Sequence, residues 1–585
     1  MRWISLIKPR PDAPFPAWMI FPVIFAALYL SHFTLLTLPY YWDEAGYYIP
    51  AALDFFLHGS LIPLTTPTNA HPPLPSIYLA LWWKASGFLP EVTREAVLIV
   101  AALGLTAVWR LAMRLVGVAS VAFWTVALTA IYPIWFVQSS LAHADIFAAA
   151  CTLWGLVYAL PSRDRKPWAA AVWFSLAALC KETAIIIPLT LAVVRLVESR
   201  RAPGMARIRL WRESAWLSSC TLPLAAWYAY HYFKKGFIFG NPEFLRYNAE
   251  ANFSPLRFLA ALLHRILDLT AHMNLFVPVL MAIAALMLSP RKDREQGTGG
   301  REQGAANGSD GERLEGNGQD RPGISPAALR RIFIVLLVNA LLFSVLGGAL
   351  LTRYLLPMYP LVLLLAVTTF YRRVPYWHGL AVFSAAAFTL GLFINPPYGF
   401  APEDNLAYAR VIRFQQAGVQ QLEERYPGAT VLSVWPLSDE LKRPELGYAH
   451  HPFAVYLIDN FSAAQITRAA QEPEKYSAAL VFSTKYDPAS PLFTLGPKSR
   501  AFDERYFDLH YDLAPEAIAL ALHGDLVWKQ EDQGQWIALI RFNRQYDARL
   551  ETRNSQLLKR SDGQVVTSSS GSSRTAKTDF GMGKY

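Results

Sequence analysis

Between Ala17 and Asn395 the chain passes through one apolar stretch after another. Each approaches the ~20 residues that a helix needs to cross a bilayer. Runs at 17–38, 95–113, 119–138, 144–160, 168–180, 183–197, 214–232, 272–289, 331–350, 354–370 and 377–395 predict about eleven spans. Those at 168–180 and 183–197 are short and suit a tight hairpin turning near Lys181-Glu182. Leu74 to Phe88 is also short and carries Trp82, Trp83 and Lys84, which suits an interfacial or half-inserted helix. The fold class expected is a polytopic α-helical membrane protein.

Composition agrees. Charged residues make up 17% of the 585, against roughly 25% in soluble domains. The 18 Trp, 27 Tyr and 34 Phe suit a chain whose rings collect at headgroup depth. A net charge of +10 is accounted for by basic cytoplasmic loops rather than by nucleic acid. Cys151, Cys180 and Cys220 lie in or beside apolar runs without CxxC spacing, which argues against a disulfide framework or a thiolate metal site. Arg2, Lys8 and Arg10 precede an apolar run with no small-residue cleavage site after it, as expected of an uncleaved first span.

Charge sets the sides. Arg110 and Arg114, then Arg163, Arg165 and Lys166, then the arginines from Arg195 to Arg212, then Arg291 to Arg331, and finally Arg372 and Arg373 each follow alternate spans. Placing them in the cytoplasm with the N-terminus makes every crossing alternate, provided that 74–88 does not cross. Lys234 and Lys235 count mildly against this scheme. Residues 291–325 read as a disordered cytoplasmic loop and 549–585 as a disordered tail. Residues 1–395 then form the membrane domain. Residues 400–545 form a soluble α/β domain on the extracytoplasmic side. Within it, Asp404 to Arg425 has helical periodicity, Thr430 to Val434 and Ala479 to Phe482 read as buried strands, and a hairpin is expected around Asp532-Gln533-Gly534.

By the same parity, one set of polar residues falls at the outer ends of spans. It comprises Asp43-Glu44 in the first outer loop, His71-Pro72-Pro73-Leu74, His143-Ala144-Asp145, Lys181-Glu182 and Arg353-Tyr354-Leu355-Leu356-Pro357. Each has an ordinary reading. Asp43 and Glu44 suit solvated acids or helix caps, Asp145 a cap, His71 a packed turn, and Lys181 and Arg353 snorkelling cations. Ionisable groups at membrane depth are nonetheless costly and mark functional sites. Together the set suits group transfer at a phosphate-bearing lipid: two cations to hold a phosphate, a carboxylate to take a proton from a hydroxyl, and apolar walls for a polyprenyl chain.

At these residues the sequence resembles the GT-C glycosyltransferases, in the branch of the protein O-mannosyltransferases and the aminoarabinose transferase that modifies lipid A. The resemblance covers roughly residues 15–370. It implies that Asp43 is the catalytic base and that Glu44 supports it. Lys181 and Arg353 would contact the lipid-linked phosphate, while His71, Asp145, Glu182 and Tyr354 shape the pocket. It further implies a polyprenyl-phosphate sugar as donor and an acceptor hydroxyl on a lipid, protein or glycan. The reaction expected is an inverting displacement on the extracytoplasmic face of a bacterial inner membrane, with no cofactor and no metal residues assigned. The insertion at 291–325 and the motif-free domain at 400–545 depart from the family pattern. A transporter or lipid flippase would place its charges near the midplane of repeated halves, and a non-catalytic scaffold would not need Asp43 or Arg353.

Overall fold

The computed structural model describes residues 17–160, 165–238, 254–292, 320–346, 350–486, 488, 490–492, 496–507 and 509–542. Most of the 291–325 loop and all of the 549–585 tail lie outside the described residues. The chain divides into two compact units, and the division is interleaved. The first holds residues 1–37, 48–395 and 403–407; the second holds 38–47, 396–402 and 408–585. The passage from one to the other thus falls at 395–408, but residues 38–47 belong with the C-terminal unit and the short acidic segment 403–407 belongs with the helical one.

The first unit is helical. Pro90–Leu115 and Pro326–Val345 are long and apolar enough to cross a bilayer, and a third span results if Pro255–Asn274 and Phe276–Leu286, bent by 101°, count as one. Ala119–Ile131, Ala144–Ala159, Pro167–Cys180 and His378–Phe393 are apolar but shorter. The expectation of about eleven full spans is therefore not matched by eleven full-length helices among the described residues. The reason is visible in the backbone. The run 119–138 breaks into Ala119–Ile131 and Pro133–Gln138, because Pro133 has no N–H to continue the helix and Tyr132 before it is extended (ψ 124°). The run 214–232 likewise breaks between Gly204–Ser218 and Thr221–Lys235. Leu74–Ser86 forms a 13-residue helix.

Small residues let the helices approach closely. A Cβ added to Gly155 would stand 2.5 Å from the Phe174 ring, so helices Ala144–Ala159 and Pro167–Cys180 can meet only with glycine there. The basic residues expected on one side do converge. Arg195 pairs with Glu213 at 3.1 Å and with Glu198 at 3.0 Å, and it donates to the Ala159 carbonyl at 2.9 Å. Arg331 reaches Glu198 at 3.1 Å and Arg165 reaches Glu213 at 3.2 Å. This network sits at the C-terminal end of helix Ala144–Ala159, the helix whose N-terminal end carries Asp145. The two charged ends are about 24 Å apart along a helix of this length.

The second unit is built on a five-stranded mixed sheet. Its strands are β1 (Thr430–Ser433), β2 (Ala454–Leu457), β3 (Ala478–Phe482), β4 (Asp525–Asp532) and β5 (Gln535–Arg541), in the order β2-β1-β3-β5-β4. β1 is parallel to β2 and β3, whereas β5 is antiparallel to β3 and β4. β3 is buried along its whole length, which is why it reads as a continuous apolar run. β4 and β5 form the expected hairpin, with Gln533 and Gly534 both at positive φ, as a two-residue turn requires. Helix Ala407–Arg425 covers the sheet: the space beside Gly418 is filled by Ile537 and Leu480.

Candidate active site

Asp145 is the second residue of helix Ala144–Ala159 and is 4% exposed. Its carboxylate binds both expected phosphate-contacting cations. Lys181 Nζ lies 2.6 Å from one oxygen, and Arg353 Nε lies 3.5 Å from the other. Lys181 is delivered by the break between helix Pro167–Cys180 and the short 3₁₀ turn Glu182–Ile185, where its own backbone is extended (φ −149°, ψ 124°). This is the hairpin tip expected from sequence. Arg353 lies in the 3₁₀ turn Thr352–Leu355 ahead of helix Tyr359–Arg373. The next residue, Tyr354, turns its ring under Lys181, with Nζ 4.0 Å from the centroid, so the ammonium sits between a carboxylate and an aromatic face.

Arg353 has two further partners. Its NH1 donates to Glu403 at 2.6 Å and lies 3.2 Å from Nδ1 of His143. The same Nδ1 is 3.0 Å from Oε1 of Gln138; it carries a single proton position, so it serves either the arginine or the amide. Beside this group, His71 and Glu182 pair at 3.1 Å, and the Tyr48 ring stands between His71 and His143 at 6.5 and 5.9 Å. Arg265 also approaches the Tyr354 ring, at 5.8 Å from its centroid, while holding Asp268 at 3.4 Å and the Leu351 carbonyl at 2.9 Å. His272 binds Asp404 at 3.0 Å, and Asp404 also accepts from Thr352.

Six of the eight residues singled out from sequence therefore come together in the helical unit: His71, Asp145, Lys181, Glu182, Arg353 and Tyr354. Asp43 and Glu44 lie on the 38–47 segment of the other unit. Glu44 is buried there, and its carboxylate accepts the Tyr41 N–H at 2.8 Å while its own N–H donates to the Tyr41 carbonyl at 2.8 Å. The carboxylate bond is the half of a capping box that Glu supplies, and the backbone bond closes the turn. Sequence reading passed over Glu403, Asp404, Arg265 and His272. The run Pro402-Glu403-Asp404 reads as the start of a soluble domain, and only its contacts reveal it as the partner of Arg353 and Thr352.

Between these groups is a small cavity of about 30 Å³ whose lining combines Asp145, Lys181, Arg353 and Asn339 with apolar Ala148, Ile187 and Phe343. Charged and apolar side chains thus share the lining of one small space. An ammonium has three donors, so the bond from Lys181 to Asp145 does not exhaust its capacity. Among the described residues no three His, Cys, Asp or Glu side chains converge as metal ligands do.

The fold and site thus define a helical membrane protein with an acid-bound pair of cations beside a small cavity of mixed lining. Residues 70–227 match the family described as dolichyl-phosphate-mannose-protein mannosyltransferase, a stretch that includes His71, Asp145, Lys181 and Glu182. Among solved structures, ArnT from Cupriavidus metallidurans bound to undecaprenyl phosphate shares the fold. Its TM-score is 0.50 at 14% identity, over 90% of this chain and 98% of that one. The same protein in the apo state matches at TM-score 0.46 and 16% identity, over the same shares. No curated protein sequence matches this chain. The family match spans residues 70–227, and at 14% identity the likeness to ArnT is one of fold.

Proposed function

We propose that this chain is an integral membrane glycosyltransferase that moves a sugar from a polyprenyl-phosphate donor to an acceptor hydroxyl on the extracytoplasmic face of a bacterial inner membrane. The observation that carries the reading is the joint anchoring of Lys181 and Arg353 on Asp145, beside a small cavity that apolar Ala148, Ile187 and Phe343 also line. The family match and the undecaprenyl phosphate held by the ArnT of like fold support the choice of donor.

In this reading Asp43 accepts the proton of the acceptor hydroxyl as its oxygen attacks the anomeric carbon. The bond from that carbon to the phosphate oxygen breaks, and the polyprenyl phosphate leaves with one more negative charge than it had in the donor. Lys181 and Arg353 receive that charge. They do so without first reorganising, because Asp145, Glu403 and the Tyr354 face already fix them. One displacement inverts the anomeric centre, so no glycosyl-enzyme intermediate forms. Glu44 shapes the loop that carries the base, and His71, Glu182 and Tyr354 line the donor and acceptor pocket. No cofactor is needed for this chemistry. The acceptor class is a hydroxyl of an envelope lipid, protein or glycan.

The test is sugar transfer by the purified protein in detergent from a panel of polyprenyl-phosphate sugars to an envelope acceptor fraction. Asp43→Asn should abolish transfer and leave donor binding intact, whereas Arg353→Ala should weaken donor binding. Full turnover by Asp43→Asn would sink the base assignment. Binding and transmembrane movement of the donor without any transfer would favour the transporter reading.

A further inference from the structure

The C-terminal unit has no motif of its own, yet it contains the segment that carries the proposed base. Residues 38–47 cluster with the sheet domain that follows some 360 residues later, not with the helices on either side of them. The contacts are specific and come from separate elements. Tyr448 donates its hydroxyl to the Tyr40 carbonyl at 2.8 Å. Tyr41 meets the ring of Tyr408, in helix Ala407–Arg425, edge-on at 5.7 Å. Trp42 stands edge-on to Trp435 at 5.7 Å and to Phe482 of β3 at 6.4 Å. Tyr40, Tyr41, Glu44 and Ala45 are all buried.

Two backbone features show that the fit is exacting. Trp42 sits at φ +47°, a region that a bulky residue enters only when its surroundings over-determine it. A Cβ on Gly46 would lie 2.4 Å from the indole of Trp435, so that indole occupies the place a side chain would take. Asp43 lies in sequence between the two residues that Trp435 contacts, Trp42 and Gly46.

We propose that Trp435 and Tyr448 are positioning residues for the reaction: the C-terminal domain is the clasp that fixes the Asp43 loop. The proposal rests on the reading of Asp43 as the base. A base works only within hydrogen-bond reach of its proton, and a displacement near 1 Å can cost about a hundredfold in rate. The clasp therefore acts on turnover and leaves donor binding alone.

The experiment uses the full chain in detergent with Trp435→Ala, Trp435→Phe, Tyr448→Phe and Gly46→Ala, and with Asp43→Asn beside them. Three quantities are read: kcat, the Kd for undecaprenyl phosphate alone, and hydrogen exchange of the 38–47 amides. Trp435→Ala and Gly46→Ala are expected to lower kcat tenfold or more, hold Kd within twofold and speed exchange across 38–47. Trp435→Phe should recover part of the loss, and Tyr448→Phe should lower kcat by a few fold. Unchanged exchange in Trp435→Ala would overturn the clasp. Faster exchange with wild-type kcat would overturn its positioning role, as would a loss that appears in Kd alone. Wild-type turnover in Asp43→Asn would overturn the base assignment instead, and exchange would still report on the clasp.

Discussion

Arg353 organises the polar part of the helical unit because its guanidinium can face several ways at once. It meets Asp145 through Nε, and Glu403 and His143 through NH1. A lysine at this position would supply the charge as a single point and lose the planar fork that spans these partners. Arg353→Lys is therefore expected to weaken donor binding by about tenfold or more, equivalent to at least ~1.4 kcal/mol. Titration with undecaprenyl phosphate measures it, and wild-type affinity would show that charge alone suffices. Of the residues around Arg353, His143, Asp145 and Lys181 were legible in the sequence, since each lies at the end of an apolar run where an ionisable group is expensive. Glu403 was not. Its charge is unremarkable beside Pro402 and Asp404, and its meaning comes from a contact with a residue 50 positions away. The pairing of Glu44 with Tyr41 was equally hidden, because a capped turn and a catalytic acid use the same residue types.

At the scale of elements, hydropathy located the apolar runs well but did not show where the backbone breaks inside them. Helices of 13 to 16 residues, such as Ala119–Ile131 and Ala144–Ala159, reach only about 20–24 Å, short of the ~30 Å hydrocarbon core. A proline that reads as neutral in a hydropathy window, such as Pro133, ends a helix outright. The sheet domain was more legible. Buried strands and a two-residue turn leave period and composition signals that need no knowledge of partners. One helix of that domain makes a pH prediction. Glu440, in Leu437–Lys442, is fully buried, and neither carboxylate oxygen has a hydrogen-bond partner among the described residues. Burial, reinforced by the neighbouring Asp439 charge, pushes its pKa well above the ordinary carboxylate range. Because the folded-state pKa is raised, the wild-type domain loses stability as pH rises above the unfolded-state value, by about 1.4 kcal/mol per pH unit until the folded pKa is reached. Glu440→Gln should therefore match wild type near pH 4.5 and melt at a higher temperature by pH 7.5. A gap that does not change with pH would mean that Glu440 does not titrate in this interval.

For the whole molecule, the interleaved division matters more than the count of spans. The chain gives residues 38–47 to the sheet domain and residues 403–407 to the helical unit, so neither unit is a contiguous piece of sequence. Each exchanged segment carries an acid with a distinct task in the proposed reaction. Asp43 takes the proton of the acceptor, whereas Glu403 braces the arginine that faces the leaving phosphate. Sequence alone could not show this exchange, because the partners of Trp42 and Gly46 are Trp435 and Phe482, close to 400 residues downstream. If the tasks are separate, so are their energetic consequences. Glu403→Gln removes the 2.6 Å partner of Arg353 and should raise the Kd for the donor with little change in kcat. Trp435→Ala should lower kcat with little change in Kd. Independent perturbations add in free energy to within about 0.5 kcal/mol, so the double variant should lose kcat/KM by the product of the two single losses. A loss much smaller than that product would mean that both substitutions disable a single step. The sheet domain would then act on donor recognition itself rather than on the placement of the base.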